Sequence, residues 1–119
     1  MEPRATRLTT YLRSRVGDSL RGVGYHTPET SGVVYIRDDV AEQYPPDRVD
    51  RLVDVSRSVG DALGTLDEMG RPEASLHRLE DALLGQFHVP GEGVVFIAVD
   101  ADVGRNFNQF VDDCLAQLS

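Results

Sequence analysis

Between Thr6 and Leu20 the apolar residues Leu8, Leu12, Val16 and Leu20 recur every fourth position with Tyr11 beside them, a stripe that predicts an amphipathic first helix. Gly22 and Gly24 interrupt that period. Val23 and Tyr25 then begin a strand, Thr27 to Gly32 supplies turn residues, and Val33-Val34-Tyr35-Ile36 returns as a β-branched and aromatic partner, so a hairpin is expected here. Asp38 and Asp39 open a short helical turn that runs to Tyr44 and stops at Pro45-Pro46. Asp47 is placed to cap a second long helix, with Asp50 in its first turn where a negative charge suits the helix dipole. Val49, Leu52, Val53, Ser56, Val59 and Leu63 come at three- and four-residue steps, predicting that this helix runs from about Arg48 to Ala62 and that Gly64 closes it. Thr65 to Pro72 reads as a connecting loop.

The run from Glu73 to Val89 supports two readings. Leu76, Leu79, Leu83 and Leu84 have helical spacing, and the Leu, Ala and Glu content favours a helix. Against this, Leu83, Gly85, Phe87 and Val89 share one face of a strand, and the turn Pro90-Gly91-Glu92-Gly93 leads into Val94-Val95-Phe96-Ile97-Ala98-Val99, a buried strand. A strand before that turn would complete a hairpin. The last segment is amphipathic: Asp100 or Asp102 would cap a helix whose stripe is Val103, Phe107, Phe110, Val111, Cys114, Leu115 and Leu118.

A chain of 119 residues suits one domain, 1–119, and 40% hydrophobic with 27% charged residues is the balance of a globular fold. No apolar run reaches the roughly 18 residues of a membrane span and the N-terminus lacks a signal-peptide centre, so a cytoplasmic protein without membrane partners is expected. The charge inventory is the distinctive feature. All 12 basic residues are Arg, and 20 acids, mostly Asp, bring the net charge to −8. High salt screens such an excess, and the charge pattern resembles that of proteins from halophilic archaea, as the whole chain resembles small proteins from them. High-GC coding, which favours Arg over Lys, is the competing reading of the missing lysines, and the Asp excess favours the halophilic one. Nucleic acid is disfavoured as a partner for want of a basic patch, although Arg4, Arg7, Arg13 and Arg15 make the first helix locally basic.

If Glu73 to Leu79 and Ala82 to Val89 are both strands, the order is α-β-β-α-β-β-β-α, a five-stranded antiparallel α+β fold. That order, the Gly-bearing turn at Pro90-Gly91-Glu92-Gly93, the Val99-Asp100-Ala101-Asp102 passage into the last helix and Gly22-Val23-Gly24 in the first strand resemble the roadblock/LC7 family. A profilin-like or other antiparallel α+β fold would have the same order. The resemblance implies a non-enzymatic homodimer that pairs through the second long helix and an edge strand and serves as a scaffold for other proteins, small GTPases among them. Val49, Leu52, Val53, Ser56 and Val59 are the interface residues on that reading, and the competing reading is that this stripe covers the sheet of its own subunit. Two further classes stand beside it: a small-molecule sensor using the cleft between sheet and helices, and a transcription-associated factor using the Arg-bearing first helix.

Catalytic chemistry finds no motif. The acidic pairs Asp38-Asp39, Asp100 with Asp102 and Asp112-Asp113 are expected to cap helices or solvate the surface. Cys114 is expected as a buried thiol and His26 as a turn neighbour, while His77 and His88 would approach one another in the second hairpin without a third ligand. Ser14, Ser19, Ser31 and Ser56 lack a nucleophile-elbow setting. Neither catalytic residues, a metal nor a cofactor is expected.

Overall fold

A computed structural model describes residues Met1–Ser119. One antiparallel sheet organises them: β1 (Leu20–His26), β2 (Ser31–Ile36), β3 (Ala74–Arg78), β4 (Ala82–Val89) and β5 (Gly93–Asp100), in the spatial order β2-β1-β5-β4-β3. Around it lie α1 (Glu2–Val16), α2 (Asp38–Gln43), α3 (Pro46–Leu63) and α4 (Arg105–Ala116). The fold is therefore α+β with a five-stranded antiparallel sheet, and the run from 73 to 89 is two strands. β4 holds eight residues and pairs on both sides, Leu83 opposite Val99 and Phe87 opposite Val95 on one flank, Ala74 opposite Phe87 on the other. Two ladders outweigh a helical preference of a few tenths of a kcal/mol per residue.

The pleat divides the side chains between two faces. Val23, Leu83, Val95 and Val99 point to one face and, with Ala5 and Leu20, form the buried core, against which Leu8, Leu12 and Val16 of α1 and Phe107 of α4 pack. Burial of a side chain such as Leu20 or Val23 is worth about 1.5–3 kcal/mol. α3 covers the opposite face, where Ser56 meets His26 and Gln86.

Several helix ends differ from those the pattern predicts. α1 stops at Val16, because Gly17 takes a φ of 57° that ends the helix, and Leu20 enters β1 instead of the helical stripe. α3 begins at Pro46, which suits a first helical position, so Asp47 lies inside the first turn and no side chain caps the helix. Asp100 and Asp102 do not cap α4 either. A 3-10 turn (Ala101–Val103) intervenes, and Asn108 donates from Nδ2 to the Ala101 carbonyl at 2.6 Å.

Candidate functional site

α3 carries its apolar stripe over β1, β5 and β4 without closing down on them. Between helix and sheet lies a crevice of about 170 Å3, lined mainly by apolar side chains that include Leu52 and Val59 of α3 and Leu84 and Phe96 of the sheet. Within the stripe, Val53 and Ser56 are buried, whereas Val49, Leu52 and Val59 are half-buried and line the crevice. All five are thus turned toward the sheet of their own subunit. Val55 on the outer flank is 59% exposed.

A chain of polar groups crosses the middle of this layer. Ser56 donates its hydroxyl proton to Gln86 Oε1 at 2.8 Å, and its oxygen lies 2.9 Å from His26 Nε2. The three residues are all buried. Since the serine proton goes to Gln86, the bond to His26 must run the other way, with Nε2–H donating to the serine oxygen. A Ser-His pair at this distance can be a nucleophile and its base. Here the imidazole presents a proton to the hydroxyl, which is the wrong polarity for activating it. Burial, with Arg57 and His88 nearby, holds the His26 pKa below the usual imidazole value against a smaller opposing pull from Asp61, so the ring is neutral. Phe96 stacks on His26 with ring centroids 6.1 Å apart, and its ring occupies the space that a Cβ at Gly24 would need.

One member of each acidic pair, Asp39, Asp100 and Asp112, is held by an arginine. Arg37 makes two bonds to Asp39, at 2.6 and 3.1 Å, and reaches Asp100 at 3.0 Å; Arg21 approaches the same Asp100 at 3.4 Å. This pairing holds the Asp39 carboxyl below its ordinary pKa and Arg37 far above its own. Arg78 ties the β3 edge to Asp112 of α4 at 2.8 Å. No three His, Cys, Asp or Glu side chains converge as a metal site would require. His77 pairs with Leu84 while His88 lies level with Glu73 near the other end of the β3–β4 ladder, so the two imidazoles do not meet. On α1, Arg4 binds Glu92 at 2.9 Å and the Arg13 guanidinium sits 4.9 Å above the Tyr35 ring, leaving Arg7 and Arg15 without an ion pair or a ring contact.

The second notable surface lies at the β3 edge. β3 is an outer strand, and α4 crosses above it where Arg78 bonds Asp112 and the Asn108 carbonyl. From Phe110 onward most of the helix is uncovered. Phe110 is 66% and Leu118 82% exposed, Cys114 and Leu115 are also exposed, and no residue of α4 is buried. The expected buried thiol is therefore corrected: Cys114 has helical spacing with the stripe but lies on the part of α4 that overhangs the sheet. The expectation for His26 is corrected as well, since it anchors the interior of the α3 layer.

Fold and site together define an antiparallel α+β module with a groove beneath its central helix and an uncovered apolar helix at one sheet edge. The chain belongs to the family described as Domain of unknown function (DUF7522), which matches residues 6–119. No curated protein and no solved structure matches it. No helix is long and apolar enough to cross a membrane.

Proposed function

We infer that the chain is a homodimeric, non-enzymatic interaction module of the roadblock/LC7 kind that works in a high-salt cytoplasm. The observation that carries this reading is the uncovered end of α4 beside the β3 edge. A monomeric protein of 13.1 kDa exposes about 6,400 Å2 by the usual scaling with mass, and this chain exposes 7959 Å2. The surplus, on the order of 1,500 Å2, exceeds the roughly 800 Å2 that each partner buries in a standard interface. A two-fold axis beside β3 would pair the two edge strands antiparallel and lay Phe110, Leu115 and Leu118 over Leu76 of the twin, covering edge and helix together. In this arrangement Val53 and Ser56 remain within the subunit, and α3 contributes through Val55.

Light scattering at molar KCl tests the reading. A mass of twice 13.1 kDa is expected, with Phe110→Asp giving a folded monomer. A wild-type monomer at micromolar protein would sink it. A second reading, a sensor for a small apolar molecule, is favoured by the crevice of about 170 Å3, which exceeds the roughly 150 Å3 of cavities known to take benzene. A rise in melting temperature with indole but not with glycerol is its expected signature.

A further inference from the structure

At the other end of α3 from α2, where the β1–β2 and β4–β5 turns come together, lies a recess of about 510 Å3. Its character is opposite to that of the crevice. Only two of its fifteen lining residues are hydrophobic, and its charged or titratable groups are Arg57, Arg71, His26, His88 and Asp61. In a chain of net charge −8, this is a local inversion of sign.

Neither arginine is neutralised. The ion pairs of this chain engage Arg4, Arg21, Arg37 and Arg78, and no carboxylate lies within 4.0 Å of Arg57 or Arg71. Arg57 donates from Nη2 to the Thr27 carbonyl at 2.8 Å, which fixes its guanidinium against the β1–β2 turn, while its Nε is buried without an acceptor. A half-buried cation with an unmet donor is costly to keep, and an anion beside it offsets the cost. Arg71 reaches the recess from the loop before β3, and His88 faces it from β4. The volume falls inside the range of roughly 300–1,000 Å3 typical of small-molecule sites.

We propose that this recess binds the phosphate group of a small phosphorylated molecule, with Arg57 and Arg71 as the charged clamp and His88 as a further donor. The proposal does not require dimer formation, because the recess draws its lining from one subunit and includes no residue of β3 or α4. Guanidinium groups suit phosphate because their N–H forks match its oxygens.

The test is titration of the full-length 15N-labelled protein with glycerol 3-phosphate, with glycerol and acetate as controls, in chloride buffer of constant ionic strength. Saturable shifts confined to Gly60, Gly91, Gly93 and the Arg57 and Arg71 side chains are expected with the phosphate ester alone. Arg71→Gln, on an exposed loop, should weaken binding about tenfold without changing the melting temperature, and Arg57→Gln should weaken it at least as much. Asp61→Asn should tighten it. Shifts that grow linearly and spread over all the arginines would overturn the proposal, as would equal binding of acetate or an Arg71→Gln variant that binds like wild type.

Discussion

Ser56 is the residue on which the α3 layer turns, because its one hydroxyl serves Gln86 as donor and His26 as acceptor. Ser56→Ala would leave a carbonyl oxygen and an imidazole N–H buried without partners, a loss of about 1–3 kcal/mol measurable as a lower midpoint in guanidinium unfolding. The histidine adds a pH dependence of definite sign. Its folded pKa lies below the ordinary 6.5, so between those two values the unfolded chain binds more protons than the folded one. The neutral ring's contribution is complete above pH 6.5 and is lost as the pH falls from there through the folded pKa. Urea unfolding at pH 7.5 and at successively lower values should show that decline, and His26→Gln should flatten it. An equally steep decline in the variant would assign the effect to other groups.

At the scale of elements, β4 and α4 show how neighbours decide what local pattern leaves open. The leucines of 76–84 have helical spacing, yet Leu83 faces the core and Leu84 the crevice, a division that only an extended chain gives to adjacent residues. In α4 the apolar period matches the helix but overstates its burial. Phe107 packs on the core, but Phe110, Cys114, Leu115 and Leu118 of the same stripe are exposed. Phe110→Asp should therefore leave monomer stability within about 0.5 kcal/mol of wild type while removing self-association, as read by unfolding and light scattering together. A variant that fails to fold would mean that α4 packs on its own sheet.

For the whole molecule, charge governs the conditions under which it is stable. A net charge of −8 repels itself, and the screening length shrinks from about 10 Å at 0.1 M salt to about 3 Å at 1 M. The melting temperature should rise between dilute and molar KCl, and the dimer should strengthen with it, since two acidic subunits meet. A melting temperature independent of salt would remove the high-salt setting from the proposed function. The ion pairs contribute little to this balance: Arg4 with Glu92 is surface-exposed, and such pairs are worth at most about 1 kcal/mol.

Period, turn residues and composition determined the first hairpin, the stripes of α1, α3 and α4, the buried β5 and the acidic, lysine-free surface, because each of these is written within a few consecutive residues. Tertiary structure decided that the run from 73 to 89 is extended, where α4 outruns the sheet, and that His26, Ser56 and Gln86, each thirty residues from the next, share one hydrogen-bonded chain. Arg57 and Arg71 likewise look like any other arginines in sequence and become a pair only when α3 and the loop before β3 border the same recess. The physical reason is common to all of these: a strand ladder, a buried polar network and a charged pocket are made by residues distant along the chain, and no local spacing records which distant segment will be the neighbour.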